Sequence, residues 1–162
     1  MNAALRLSWY KFKHHYMDFV KVLLGIVAFE GLILYIQDKG FLKDFETTRM
    51  TLFLLLFSTS LLIVVQNSIY ISKERSVLNR DFFSGLSRSA FALASMGIHA
   101  FFAVLETIVF ILSYSVFSKF FDKEFPDAGH IFGSYRWEVG ITVLLVFLAS
   151  HFIALFISAL VG

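Results

Sequence analysis

Long apolar stretches separated by short polar ones divide the chain into four segments. They cover residues 19–36, 51–71, 91–117 and 139–161. A transmembrane helix needs about 20 mostly apolar residues, and each stretch meets or nearly meets that length. None alternates apolar and polar residues with the period of two that a barrel strand shows. The pattern therefore predicts an all-α integral membrane protein with four transmembrane helices, which together form a transmembrane domain over residues 19–162.

Composition supports a membrane protein and excludes several other classes. Of the 162 residues, 58% are hydrophobic and 16% are charged, against about 45–50% and 25% in soluble domains. A core of this size has no room for that apolar excess, and disorder needs the opposite composition. The absence of cysteine excludes disulfides and thiolate metal sites. A net charge of +2 without a basic block gives no reason to expect a nucleic-acid partner.

The first 18 residues carry an amphipathic pattern of their own. Large apolar residues recur there at helical spacing, and basic residues supply the other face. We therefore expect a connecting helix over residues 1–18 that lies in the headgroup layer, although an ordinary juxtamembrane flank is the alternative. The apolar residues are Leu5, Trp9, Phe12 and Tyr16, and the polar face comprises Arg6, Lys11, Lys13, His14 and His15.

The segment 72–90, between the second and third apolar stretches, is dense in Arg, Glu and Phe and is compatible with a helix until Gly85. A plain connecting turn would need neither that length nor that mixture. We expect a short amphipathic elbow that lies parallel to the membrane and docks onto a soluble partner.

The run QNSIYISKERSVLNRDFFSGLSRSAFALASM resembles the region around the coupling helix of ATP-binding cassette exporters of the type-2, ABCG-like permease class. The resemblance rests on an ordered series of residue pairs. They are Asn67-Ser68, Glu74-Arg75, Arg80-Asp81, Gly85-Leu86 and Ala90-Phe91. Asp81 stands where the family more often has Glu. The ending ALFISALV is also similar to the small-residue ending of the family's fourth helix.

The resemblance implies a permease subunit, or part of one, of an exporter of lipid or another amphipathic compound. A separate nucleotide-binding ATPase, which holds ATP and Mg, would grip the 72–90 elbow from the cytoplasm. Both termini would then be cytoplasmic, in the plasma membrane or, in a bacterium, the inner membrane. The basic residues support this orientation only weakly, at seven against six. The implied ATPase-coupling residues are Glu74, Arg75, Leu78, Arg80, Asp81, Phe82, Phe83 and Gly85.

The sequence departs from the family in two respects. The family's permease domain usually has six membrane helices, whereas this chain has four apolar stretches. We therefore expect a fragment, a split subunit or a reduced relative, working with a second permease chain or a homodimer mate. The chain also lacks GxxxxGK[ST], so we expect no enzyme activity and no cofactor on it. A small structural or regulatory subunit that scaffolds a larger complex is the alternative function.

Five polar residues within the apolar stretches are the remaining candidates. His99 and Glu106 are seven residues apart and therefore share one helix face. An interhelical hydrogen-bond network is favoured over a proton relay, and a metal site is disfavoured because no HExxH spacing occurs. We find no catalytic residue, since Ser84 lacks the GxSxG context. The intramembrane polar residues are Glu30, Asn67, His99, Glu106 and His151.

Overall fold

The computed structural model is all-helical in the part of the chain that it describes. That part comprises residues 2–37, 44–68, 83, 85, 87–123, 131 and 133–161, with side chains described from residue 16 to residue 160. The helices are α1 (Asn2–Ile36), α2 (Phe45–Ser68), α3 (Arg88–Phe120) and α4 (Tyr135–Val161). This confirms the predicted all-α membrane fold with four long helices.

Each of these helices is long and apolar enough to cross a membrane. The candidate spans are Tyr16–Ile36, Phe45–Ser68, Arg88–Phe120 and Tyr135–Leu160. Helix α1 is continuous, so the first span joins residues 2–15 without a break. The side chains of residues 2–15 lie outside the description, and their placement in the headgroup layer stays a prediction. So does the helical form of the elbow, because residues 69–82 also lie outside it.

Polar residues just before the apolar stretches set where the helices begin. At α3, Ser87 is the N-cap, and its hydroxyl accepts a hydrogen bond from the Ala90 amide at 3.5 Å. At α2, the carbonyl of Asp44 accepts from the amide of Thr48 at 3.0 Å and from its hydroxyl at 2.7 Å. The Ser87 hydroxyl satisfies one of the amides that a helix start leaves unpaired, whereas the backbone bond from Thr48 to Asp44 is the first ordinary helical bond of α2.

The helices form a two-by-two bundle in which α1 and α4 each pack against both α2 and α3. Helices α1 and α3 run parallel, since Phe19 contacts Phe102 and, eleven residues further along each helix, Glu30 contacts Ser113. Helices α3 and α4 run antiparallel. Helices α2 and α3 lie at diagonally opposite corners of the bundle.

Apolar side chains both fill the bundle and cover its outside. Ile26, Ile63 and Phe147 are fully buried in the core, whereas Leu24 and Leu145 are more than 60% exposed. An outer surface made of such residues suits lipid and not water. Gly25 lets α1 and α2 approach closely, because a Cβ there would lie 2.5 Å from Leu62 Cδ2.

Candidate functional site

Three ionisable side chains meet between α3 and α4. Nδ1 of His151, on α4, lies 3.0 Å from Nδ1 of His99, and its Nε2 lies 2.8 Å from Oε2 of Glu106. His99 and Glu106 both come from α3, two turns apart. His151 therefore bridges them, and the three residues, here named the His–His–Glu triad, form one hydrogen-bonded chain.

The triad is enclosed by the bundle. His99 is 2% exposed, and Glu106 and His151 are fully buried. All three lie in the middle third of their helices, far from the polar helix ends. The ring of Phe102 packs edge-on against His99, with ring centroids 5.8 Å apart. Buried polar groups in a membrane persist where they bond to one another, and here two side-chain bonds tie α3 to α4.

Glu30 forms a second polar contact, between α1 and α3. It is fully buried, and its Oε2 accepts a hydrogen bond from the hydroxyl of Ser113. That hydroxyl also lies 2.8 Å from the carbonyl oxygen of Val109, on its own helix. A hydroxyl has one proton to donate, so the carbonyl and the carboxyl compete for it. A protonated Glu30 would satisfy both contacts by donating to Ser113.

A buried lysine after α3 bonds to the C-terminal end of α1. Lys123 is 6% exposed, and its Nζ donates to the carbonyl oxygens of Leu34 and Gln37 at the end of α1. The hydroxyl of Tyr114 donates to the carbonyl of Lys123 at 3.1 Å, and this bond holds the residues just after α3 against that helix. A cation at a helix C-terminus also interacts favourably with the helix dipole.

A cavity of about 280 Å³ lies between α2, α3 and α4, at the end of the bundle where α4 begins. Its walls are mostly aliphatic, with the ring of Phe110 among them. Its polar groups come from Tyr114, Tyr135, Glu138 and Thr142. Ligand pockets are typically apolar and carry a few such groups, and this volume is close to their lower limit.

The structure brings some predicted site residues together and leaves others apart. His99, Glu106 and His151 meet, whereas Glu30 bonds to Ser113 and Asn67 donates to the carbonyl of Ile63 on its own helix. Among the described residues, no group of three His, Asp or Glu side chains is arranged to hold a metal.

The coupling residues are described only in part. Phe83 is 94% exposed, and Gly85 has a φ of +103°, a conformation that favours glycine. Whether a helix ends at Gly85 stays a prediction, because residues 69–82, 84 and 86 lie outside the described part. The other predicted coupling residues lie outside the described part. They are Glu74, Arg75, Leu78, Arg80, Asp81 and Phe82.

Two residues outside the predicted site, Ser113 and Lys123, make prominent contacts in the structure. Ser113 follows His99 and Glu106 at the same seven-residue spacing, so the repeat could have placed it on the same face of α3. In the sequence, Lys123 is only one of several charged residues between the third and fourth apolar stretches. Its contact depends on how the chain turns after α3, where Asp122 has a φ of 54°.

Comparisons with known proteins agree with this architecture. The family model described as ABC-2 type transporter matches residues 5–162, which is nearly the whole chain. Comparisons with curated proteins and with solved structures give no significant match. The predicted resemblance is thereby confirmed: the chain belongs to the ABC-2 type transporter family and is a membrane-spanning component of an ATP-binding cassette transporter.

Proposed function

We propose that the chain is the permease, or part of the permease, of an exporter and that a separate ATPase drives it through the 72–90 elbow. The observation that carries this proposal is the family match over residues 5–162. ABC-2 membrane domains work with ATP-binding subunits, so a permease in this family needs a surface at which such a subunit can act.

The connection between α2 and α3 is the best candidate for that surface. It links two helices that lie on opposite corners of the bundle, so a force applied there would reach both pairs of packed helices. Exposed Phe83 supplies an apolar anchor of the kind that interfaces bury. In this proposal the elbow and both termini are cytoplasmic, and a second permease chain or a second copy completes the transport path.

The cavity between α2, α3 and α4 favours an amphipathic cargo. Its aliphatic walls suit an acyl chain or a ring system, and Glu138 and the two tyrosines offer polar contacts at one end. The carboxylate of Glu138 accepts a hydrogen bond from the Ile131 amide, which orients it within this end of the bundle. Lipid is the amphipathic molecule that a membrane supplies in greatest amount.

Reversing the charge of Asp81 tests the coupling. We expect Asp81→Lys to insert normally and to weaken binding of the ATPase subunit at least about tenfold, since like charges at an interface cost several kcal/mol. Co-purification of the full complex and its stimulated ATP hydrolysis are the measurements. Asp44→Lys is the matched control, because Asp44 is exposed at the opposite end of α2. It should leave both unchanged.

Unchanged binding and unchanged ATP hydrolysis in Asp81→Lys would show that the elbow only connects α2 to α3. The chain would then be better described as a structural or regulatory subunit that scaffolds a larger complex.

A further inference from the structure

We propose that His99, His151 and Glu106 form a proton-binding site in which one exchangeable proton is shared along a continuous hydrogen-bonded chain. The contact geometry carries this inference: two bonds, of 3.0 and 2.8 Å, join three titratable side chains inside the membrane-spanning bundle. The site is independent of the proposed coupling to an ATPase.

The two hydrogen bonds explain why the site takes up one additional proton. Each of the two bonds needs one proton between its heavy atoms. With Glu106 ionised and both imidazoles neutral, His151 donates from Nε2 to Glu106, and His99 donates from Nδ1 to His151. Both bonds are then made, and the triad has a charge of −1.

One more proton makes the triad neutral without breaking either bond. If the proton binds Glu106, the carboxylic acid donates to Nε2 of His151, which in turn donates from Nδ1 to Nδ1 of His99. Both bonds have reversed direction, and His99 carries its proton on Nε2. The added proton removes a net charge from the apolar interior, where a charge raises the free energy of the protein.

The same chain can pass a proton between its ends. The proton on Glu106 moves to Nε2 of His151 as the proton on Nδ1 of His151 moves to Nδ1 of His99. This leaves Glu106 as a carboxylate and His99 as an imidazolium until His99 releases the proton on its Nε2. One O–H bond and one N–H bond break while two N–H bonds form, so the count balances. Glu106 and His99 are seven residues apart on α3, which corresponds to about 10 Å along the membrane normal. Chains of His and carboxyl groups serve as proton relays in other membrane proteins.

The surroundings of the triad contain few competing groups in the described part. Glu30, Tyr114 and Lys123 are the other buried ionisable side chains there, and each bonds to a group outside the triad. Glu30 meets Ser113, a further seven residues along α3 from Glu106. On α1, Asp18 and Lys21 pair with each other at 2.9 Å. The charged groups near the helix ends, exposed or partly so, are Glu46 and Arg49 on α2, Arg88 and Lys119 on α3, and Arg136 and Glu138 on α4.

Nitrogen NMR of the full-length chain in lipid nanodiscs tests the site directly. The chain has five histidines, so replacing His14, His15 and His130 with Gln leaves only His99 and His151. With ¹⁵N-labelled histidine, we expect a scalar coupling between the two Nδ1 atoms across their hydrogen bond. We also expect the ring nitrogens of both residues to change together in a single pH step.

Two glutamine variants separate a proton site from a purely structural contact. Glu106→Gln keeps the shape and a hydrogen-bonding group but cannot exchange a proton, so the shared pH step should be lost. Glu30→Gln is the matched control, since Glu30 is an equally buried carboxyl outside the triad, and it should retain the step.

Three results would overturn the proposal. They are separate pH steps for the two histidines, a step that survives Glu106→Gln, and the absence of any step in the unmodified triad. The second would mean that the histidines titrate without Glu106, and the third is what a purely structural network would give. Neither glutamine variant needs to be active in transport for the test, and the titration of the unmodified triad decides the matter even if Glu106→Gln fails to fold.

Discussion

The α3–α4 and α1–α3 interfaces both bury ionisable side chains, but they give them different partners. Between α3 and α4, His99, His151 and Glu106 bond to one another. Between α1 and α3, Glu30 meets the hydroxyl of Ser113, and Lys123 donates to backbone carbonyls of α1. Helix α3 belongs to both interfaces, with one kind of contact on each side.

The difference lies in what the partners can do. Imidazole and carboxyl groups both accept and release protons, so a chain made only of them can change its proton content and keep its bonds. Hydroxyl and carbonyl groups do not titrate near neutral pH, so the groups to which Glu30 and Lys123 bond across the α1–α3 pair are not titratable partners. We infer that the α1–α3 pair is a fixed joint and that the α3–α4 pair responds to protons.

The largest effect should come from removing the residue that bridges the triad. His151→Phe deletes both hydrogen bonds and leaves Glu106 buried among apolar side chains. Bonds of this kind in membranes contribute about 0.6 kcal/mol on average and at most about 1.7. With the orphaned carboxyl added, we expect a loss of about 2–3 kcal/mol in the free energy of unfolding, measured by reversible unfolding in lipid or mixed micelles.

Two further variants sharpen this result. Phe152→Leu, a change at the next position along α4 on a partly exposed ring, should alter stability by less than about 0.5 kcal/mol. The double variant His151→Phe with Glu106→Leu should regain part of the loss, because it also removes the unpaired carboxyl. A His151→Phe protein as stable as the unmodified chain would show that the triad does not hold α3 against α4.

A smaller effect should follow from removing the cation at the α1–α3 joint. Lys123→Met keeps most of the side-chain length but leaves the carbonyls of Leu34 and Gln37 without this donor. We expect a loss of about 1.5–2 kcal/mol, at the low end of the range of about 1.5–3 kcal/mol for hydrogen bonds to a charged group, and faster hydrogen exchange at the amide of Gln37.

Lys119→Met is the matched control, since Lys119 is exposed in the last turn of α3. It should change stability by less than about 0.5 kcal/mol. Equal effects of the two substitutions would mean that Lys123 acts only as one more surface charge and that the α1–α3 joint is not fixed by it.

The sequence predicts the helices of this molecule well because the bilayer imposes a simple constraint. A span must be long, apolar and internally hydrogen-bonded, and four stretches satisfy that from composition alone. The series of residue pairs around Gly85 similarly identifies the family, which the family model confirms. The coupling roles of Glu74 to Phe82 and the headgroup position of residues 1–18 stay predictions, because no described side chain tests them.

The partners of the polar residues were harder to predict. The seven-residue spacing places His99 and Glu106 on one face, but only the bundle arrangement brings His151 between them. Helices α2 and α3 lie at opposite corners of the bundle, and α1 packs against both. A hydropathy pattern does not show which helices are neighbours. Ser113 and Lys123 become partners of α1 through this arrangement. Residue spacing therefore predicts faces, whereas contacts between helices depend on which helices are neighbours.

The smallest effect should come from Glu30, and it decides whether the α1–α3 pair is only a joint. Glu30→Leu removes one interhelical bond, so we expect a loss of about 0.6 kcal/mol, and at most about 1.7 kcal/mol. Glu30→Gln keeps the shape and can still bond to Ser113, so it should change stability less. In a double-mutant cycle, Ser113→Ala should give a coupling with Glu30→Leu similar to the single loss, because both substitutions remove the same bond. Stimulated ATP hydrolysis in the assembled complex should survive Glu30→Gln. If that variant assembles with normal stability but no longer supports ATP hydrolysis, Glu30 belongs to a proton or substrate path, and the contrast between a fixed and a proton-responsive interface fails.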